Sequence, residues 1–288
     1  FEKLVGMNHS LAQTVKQCKA TISYPPNGLP MLLYGPTGTG KSLIAKLTYE
    51  WARNHGVIAK DGQFVQVNCS EYANNPELLT ANLFGHVKGA FTGAEKDNEG
   101  LIALADNGVL FLDEVHELKA ECQEKLFLFM DQGIYHRVGD NEKWNKSNVR
   151  IVFATTENPD KVLLKTLMRR IPMTITIPSL EQRGTQERIE LLHDIFSQEE
   201  KRLGCQIKMS SKVYNALLQS KMPGNIGQLK SSVQSCCINS LFDKVNDELV
   251  IHLDSLPKDL LQQVYANQKT VLDDDEYIYV DDLQGYYN

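Results

Sequence analysis

The sequence contains no run of about 18 consecutive apolar residues, which argues against a membrane-spanning helix. Its beginning also lacks the charged-then-apolar pattern of a secretory signal. Six cysteines are present, but none forms a C-x-x-C pair or has a histidine at ligand spacing, so a zinc site is not expected. We therefore expect reduced thiols and a cytoplasmic location.

Basic residues are not in excess either. The formal net charge of -6 comes from residues 273–288, which hold six acids and no Lys or Arg, and the rest of the chain balances 30 acids against 30 bases. Affinity for duplex DNA depends on Lys and Arg that neutralise phosphates. The chain opens on Phe1 and closes on an acidic, tyrosine-rich stretch, as a piece of a longer protein would. We therefore expect DNA binding to come from domains outside this chain.

Short apolar runs alternate with helical patterns in the first part of the chain. This alternation is typical of an α/β fold in which helices cover a parallel sheet, and the predicted strands are 31–34, 64–67, 109–112, 149–154 and 173–177. After Pro178 the pattern becomes helical, at 185–203, 210–220 and 225–243, with Asn225 as a cap. The sequence thus predicts an α/β core over 1–178, a small all-α lid over 179–245, and an extension or linker over 246–288.

The first predicted strand leads into a glycine-rich loop and then a helix, which is the context of a phosphate-binding loop. Backbone amides of such a loop converge on phosphate oxygens at a helix N-terminus. Lys41 is expected to neutralise the β and γ phosphates of ATP, and the Ser42 hydroxyl to bind Mg²⁺. The predicted nucleotide-binding residues are Gly35, Pro36, Thr37, Gly38, Thr39, Gly40, Lys41 and Ser42.

Two carboxylates follow the apolar strand 109–112. Ligands of open parallel sheets bind at the carboxyl ends of the strands, where Asp113 and Glu114 are predicted to lie. Asp113 is expected to orient Mg²⁺, and Glu114 to polarise the attacking water. A solvated turn after the strand is the alternative, which the upstream loop disfavours.

Between these two motifs lies a hexapeptide that suits neither nucleotide binding nor hydrolysis: Gly89, Ala90, Phe91, Thr92, Gly93 and Ala94. It resembles the signature of bacterial enhancer-binding proteins, the AAA+ ATPases that act on RNA polymerase carrying sigma-54. The resemblance extends from Phe1 to about Phe242. It implies an AAA+ P-loop fold, assembly into a ring, by resemblance a hexamer, and ATP hydrolysis that remodels closed sigma-54 polymerase complexes into open ones.

The resemblance also implies partner-binding and nucleotide-binding roles. The hexapeptide, with residues 83–86 as its stem, is expected to contact sigma-54. A second loop over residues 134–148, which carries Arg137, is expected to move with it. Val5 and Gly6 are expected to contribute to nucleotide binding.

Three further positions match family motifs. Asn68 follows the second strand and is implied to be a switch partner of Glu114, although an Asx turn or helix cap is the alternative. Thr156 stands where the family has a phosphate-sensing asparagine, and supplies one donor fewer. Arg169 has the spacing of the arginine finger that reaches a neighbouring subunit. Arg170 remains open as the finger, and surface ion pairs remain the alternative for both arginines.

The chain departs from the family at Gly227, where a sensor arginine is expected. Either Lys230 or Arg183 compensates, or nucleotide binding is coupled less tightly to the lid. This pattern and the stretch 173–177 resemble the LevR and ManR subgroup, whose ATPase precedes domains regulated by the sugar phosphotransferase system. Two alternatives to an activator remain: a nucleotide-gated scaffold with little turnover, and a general AAA+ remodeller.

Overall fold

The computed structural model describes residues 1–244, 246–267 and 276–286, which form two compact units. The first unit consists of Phe1–Lys3, Met7–Pro36 and Gly40–Ile177. The second consists of Leu4–Gly6, Thr37–Thr39 and the described residues from Pro178 onward. No helix in these ranges is long and apolar enough to cross a membrane.

Five parallel strands form the central sheet of the first unit, in the order β2 (Phe64–Asn68), β3 (Val109–Asp113), β6 (Arg150–Thr155), β1 (Met31–Tyr34) and β7 (Met173–Thr176). The side chains of β3, which has a neighbouring strand on each side, are buried from Val109 to Leu112, as expected for a parallel sheet with both faces covered. The parallel sheet confirms the predicted α/β fold class, and a two-stranded hairpin of β4 (Ile134–Tyr135) and β5 (Asn145–Lys146) accompanies it.

Seven helices surround these strands in the first unit. They are α1 Ala12–Ile22, α2 Lys41–Asn54, α3 Pro76–Phe84, α4 Leu101–Leu104, α5 Ala120–Gln132, α6 Pro159–Val162 and α7 Lys165–Met168. The start of α3 shows how local sequence sets a boundary: Asn75 Oδ1 accepts a hydrogen bond from Leu78 N at 3.2 Å, and Pro76 occupies the first turn. The buried Leu79, Leu83 and Phe84 then join the apolar core under the sheet.

The second unit contains the predicted helices and also a sheet that the sequence analysis does not predict. Its elements are α8 Gly184–Leu203, β8 Gln206–Ser210, α9 Ser211–Gln219, α10 Asn225–Asn239, β9 Glu248–Ile251, α11 Lys258–Asn267 and β10 Tyr277–Tyr279. β8 lies centrally, parallel to β9 and antiparallel to β10. These strands have three to five residues, too few for a clear alternating pattern. The expectation of an all-helical lid is corrected accordingly.

Most of the predicted extension 246–288 belongs to the core of this second unit. Leu249, Ile251, Leu260, Ile278 and Leu283 are at most 4% exposed and pack in its apolar cluster. Residues 245, 268–275 and 287–288 lie outside the described residues. The expected domain boundary at 245 therefore falls inside a packed unit, because β8 needs β9 and β10 to complete its hydrogen bonds.

Candidate functional site

The glycine-rich loop connects β1 to α2 as predicted. Gly40, with φ +97°, precedes the first residue of α2, whose N-terminal amides have no partner within the helix. Lys41 is 6% exposed, and its Nζ donates to the carbonyl oxygens of Gly35 at 2.8 Å and Pro36 at 3.0 Å. Burial lowers the pKa of Lys41, and the charges of Asp113 and Glu114 oppose that shift. The loop thus holds a cation beside a helix N-terminus, an arrangement that binds phosphate.

Ser42 and Asp113 meet at the carboxyl end of the sheet. Ser42 Oγ donates to Asp113 Oδ2 at 3.1 Å, and Asp113 Oδ1 accepts from Glu114 N at 3.0 Å. In octahedral Mg²⁺ with bonds of about 2.0–2.1 Å, neighbouring ligands stand roughly 2.9 Å apart. The two side-chain oxygens are hard donors at nearly that separation, so they fit the predicted metal ligands.

Glu114 has an unusual backbone conformation. Its φ is +53° and its ψ +47°, a left-handed region that non-glycine residues occupy at some cost. The carboxylate accepts a hydrogen bond from Thr156 Oγ1 at 3.2 Å. The structure therefore brings Lys41, Ser42, Asp113, Glu114 and Thr156 together at one edge of the sheet. Backbone strain at such an edge is typical of a functional position.

Asn68 lies beside this group but forms a different contact from the expected one. It is the register partner of Asp113 across β2 and β3. Its Oδ1 accepts from Ser70 N at 3.1 Å and from Ser70 Oγ at 2.8 Å, and so caps the 3-10 helix Cys69–Tyr72. In this conformation Asn68 has the geometry of the helix-cap alternative. Its role as a switch partner of Glu114 stays a prediction.

His116 is a member of the site that the sequence analysis missed. Its Nε2 lies 3.4 Å from Glu114 Oε2 and 3.7 Å from Glu117 Oε1, and its Nδ1 lies 3.1 Å from Thr155 Oγ1. The sequence feature that could have indicated His116 is its position two residues after Glu114. Side-chain direction could not be read from that spacing, because it depends on the left-handed turn at Glu114.

The hexapeptide forms a tight loop. Gly89 N donates to Ala94 O at 2.8 Å and Ala94 N donates to Phe91 O at 3.0 Å. The loop requires φ of +81° at Gly89 and +99° at Gly93, conformations that favour glycine. Phe91 is 38% exposed, and its ring packs against His86 at 4.9 Å between centroids. The aromatic ring is thus only partly sheltered by its own loop.

The second loop is joined to the first at its base. Val87 N donates to Val138 O at 3.1 Å, and Val138 N donates to Gly85 O at 2.9 Å. Arg137 was predicted to contact a partner, but its side chain is only 10% exposed and lies 3.2 Å from Glu99. It also lies 4.0 Å from both Asp97 and Asp140. Arg137 therefore ties the two loops together electrostatically.

The two candidate finger arginines differ in their surroundings. Arg170 forms an ion pair with Asp131 at 2.5 Å and stacks over Phe127 at 5.2 Å. Arg169, the C-cap residue of α7, is exposed, and within the described residues its side chain forms no hydrogen bond or ion pair with Lys41, Ser42, Asp113, Glu114 or Thr156. Of the two candidates, Arg170 is thus engaged by its own chain, and the assignment of Arg169 as the finger stays a prediction.

Within the second unit, α10 begins beside the segment Thr37–Thr39. Gly227 N donates to Gly38 O at 3.1 Å. Gly227, which stands where the family has a sensor arginine, therefore contacts this segment through its backbone. Arg183, 7% exposed, donates through a guanidinium nitrogen to Thr39 O at 3.2 Å, whereas Lys230 is exposed. Of the two proposed compensating residues, Arg183 is therefore the one that contacts the glycine-rich segment. In the same unit, Val5 is partly buried against the apolar cluster and Gly6 is buried.

Asn225 does not cap α10 through its side chain, because it is itself the first helical residue. Its Oδ1 accepts from Leu180 N at 2.8 Å, and its Nδ2 donates to Thr37 O at 2.8 Å and Pro223 O at 3.2 Å. The residue is 4% exposed and has φ +55°. A single buried amide thus holds three backbone segments of the second unit.

The Asn225→Ala variant is expected to destabilise the second unit by about 2–4 kcal/mol, because buried backbone groups lose their partners and alanine disfavours positive φ. Amide hydrogen exchange of α10, read by mass spectrometry, should accelerate correspondingly. Lys230→Ala on the same helix is the control, since its side chain is exposed. Equal exchange in the two variants would contradict this account of Asn225.

The parallel sheet, the phosphate loop after β1 and the acid pair after β3 define an AAA+ P-loop fold. Residues 4–175 match the sigma-54 interaction domain family, and the chain belongs to that family. The predicted family is thereby confirmed.

The curated relatives agree with this assignment. The chain is 45% identical over 273 residues to the transcriptional regulatory protein LevR of Bacillus subtilis, which covers 94% of this chain and 29% of LevR. It is 41% identical over 239 residues to the transcriptional regulatory protein DagR of Salmonella typhimurium, covering 82% of this chain and 25% of DagR. The chain thus spans less than a third of either relative, and the predicted likeness to LevR is confirmed.

Solved structures show the same fold. NtrX from Brucella abortus in complex with ADP has a TM-score of 0.73 and 26% identity, over 89% of this chain and 54% of that one. The NtrX structure in complex with ATP has a TM-score of 0.75 and 24% identity, over 95% of this chain and 57% of that one.

Proposed function

We propose that this domain hydrolyses ATP and uses the energy to remodel closed sigma-54 RNA polymerase complexes into open ones. The observation that carries the proposal is that the first unit holds Lys41 and Ser42, the acid pair Asp113 and Glu114, and the Gly89–Ala94 loop with Phe91. Membership of the sigma-54 interaction domain family supports the identity of the partner. The complexes of NtrX with ADP and with ATP support the choice of nucleotide.

In the proposed hydrolysis, Lys41 leaves its loop carbonyls to neutralise the β and γ phosphates. Ser42 and Asp113 would hold Mg²⁺, which would supply positive charge that offsets the charge of the phosphates. Glu114 accepts a proton from the attacking water, and Thr156 either supports Glu114 or turns to the phosphate. Arg169 completes the site of the neighbouring subunit in a ring, by family resemblance a hexamer.

A continuous structural path leads from the site to the Phe91 loop. Asn68 caps the 3-10 helix Cys69–Tyr72, and Tyr72 OH accepts from Asn82 Nδ2 on α3 at 3.2 Å. The Phe91 loop follows α3 directly. In this proposal a change of hydrogen-bond partner at Asn68 acts through these contacts on α3 and biases the loop between two states.

The function is tested by capture of sigma-54. The domain is incubated with sigma-54 and ATP plus aluminium fluoride, a trigonal transition-state mimic, and compared with ADP alone. Capture that requires the mimic supports the proposal. Absence of capture while phosphate release continues would point to another client, as expected of a general remodeller.

Phe91→Ala is expected to weaken this capture by about 30-fold or more, the effect typical of an interface hot spot of about 2 kcal/mol. ATP turnover should persist, because Phe91 contacts His86 and lies outside the nucleotide site. Tyr24→Ala is a matched control, since Tyr24 is a 56% exposed aromatic in the same unit. Unchanged capture by Phe91→Ala would refute the assigned role of the loop.

A nucleotide-gated scaffold is separated from the activator by steady-state phosphate release at increasing protein concentration. Turnover that rises with concentration supports a ring ATPase, whereas assembly without turnover supports the scaffold. We expect the domain to act in the cytoplasm, with DNA-binding and sugar-signal domains supplied outside this chain.

A further inference from the structure

The imidazole ring of His116 lies between residues that follow β3 and a residue at the end of β6. It lies in the 3-10 helix Val115–Glu117 after β3, and its side chain is 17% exposed. One ring nitrogen faces Glu114 and Glu117, and the other faces Thr155 Oγ1 on β6 at 3.1 Å. Thr155 is fully buried, so this end of the contact is fixed by the sheet.

The neighbours of the ring determine where its proton must be. Carboxylate oxygens only accept, so Nε2, which faces two of them, carries a hydrogen. The Thr155 hydroxyl can donate to Nδ1 in the neutral ring, or accept from it in the charged ring while donating to Glu157 O at 3.4 Å. In both cases Nε2–H faces the two carboxylates, with ion-pair distances of 3.4 Å to Glu114 and 3.7 Å to Glu117.

Glu114 Oε2 therefore faces two donor groups: Thr156 forms a hydrogen bond with it, and His116 forms an ion-pair contact. Thr156 Oγ1 lies at 3.2 Å and His116 Nε2 at 3.4 Å. Thr156 has a single hydroxyl hydrogen, so it cannot hold Glu114 and contact a phosphate oxygen at the same time. A second donor allows the hydroxyl to turn away while the carboxylate keeps its orientation.

We infer that His116 is a positioning residue that anchors Glu114 Oε2 and leaves Oε1 to receive the proton of the attacking water. The inference rests on the proposed ATPase function, because it assigns His116 a role through Glu114. The left-handed backbone of Glu114 fixes the direction in which the side chain leaves the backbone. It does not fix the position of the carboxylate, which the contact with His116 restrains.

The expected effect is on turnover rather than on nucleotide affinity. His116→Ala should lower kcat by about 10- to 100-fold, as misplacement of a catalytic group does, with the ATP affinity and KM within about twofold of the wild type. His116→Gln should restore most of kcat, because its side-chain amide offers a donor at similar reach. His55→Ala, an exposed histidine at the end of α2, is the control.

A double-mutant cycle distinguishes positioning from general damage. In the Glu114→Gln background, His116→Ala should lower the residual turnover no further, because its effect passes through Glu114. An equal loss in both backgrounds would overturn the inference, as would wild-type kcat in His116→Ala.

A turnover-independent measurement separates this inference from the proposed function. Imidazole ¹⁵N NMR should show hydrogen on Nε2 of His116, with a resonance that shifts in Glu114→Ala. If the wild type lacks turnover, the ATPase proposal fails while this spectrum still tests the contact. A His116 ring without hydrogen on Nε2, or insensitive to Glu114→Ala, would overturn the inference.

Discussion

Glu114→Gln is expected to reduce ATP turnover by about 10²–10⁴-fold, the contribution of a general base. Glutamine has nearly the same shape, and its amide oxygen can still accept from Thr156 and His116, which lie at 3.2 and 3.4 Å from the carboxylate. What it loses is the ability to take a proton. Phosphate release at saturating ATP measures the loss.

Binding should be preserved in the same variant. Lys41 and the backbone amides at the start of α2 supply the expected phosphate contacts, and Glu114→Gln changes neither. Calorimetric titration with ATP should therefore give an affinity within about threefold of the wild type, since removal of a transition-state interaction lowers kcat and leaves ground-state binding. Glu121→Gln, 82% exposed on α5, is the control. Retained turnover in Glu114→Gln would remove Glu114 from the mechanism.

The parts of the site that the sequence predicts are contiguous segments. The order strand, glycine loop and helix requires local information only, and so does an acid pair at the end of an apolar strand. Parallel packing then brings Ser42 and Asp113 together, because strand ends share one edge of a sheet. The hexapeptide was identified by its resemblance to a family signature, which does not specify how far Phe91 packs on His86.

The parts that escaped prediction depend on distant pairing or on one dihedral angle. β8 forms its sheet with β9 and β10, which lie about 40 and 70 residues later in the chain, so no local window contains the signal. His116 meets Glu114 because φ at Glu114 is positive, and neither residue type predicts that. Asn225 likewise has the sequence position of a helix cap, but in the structure its side chain forms hydrogen bonds with the backbone of Leu180, Thr37 and Pro223.

The choice between the finger arginines also needed side-chain contacts. Adjacent arginines have almost the same motif spacing. The two are distinguished by the contacts of Arg170, which pairs with Asp131 and stacks over Phe127. Arg169→Ala is expected to lower turnover by about 10³-fold or more, within the range of arginine fingers. ATP affinity and assembly should be unchanged, and turnover should no longer rise with protein concentration. Arg170→Ala, which removes a surface ion pair, should retain turnover.

Mixing two inactive variants tests whether Arg169 acts between subunits. In a ring of Arg169→Ala and Glu114→Gln subunits, a site built on the former can receive an intact arginine from the latter. Random 1:1 mixing makes about a quarter of the head-to-tail interfaces complete, so a corresponding fraction of wild-type turnover should return. A finger acting within its own subunit would give no recovery, because each chain would still lack either its base or its arginine. Recovery measured as phosphate release after mixing therefore identifies both the residue and the neighbour that it serves.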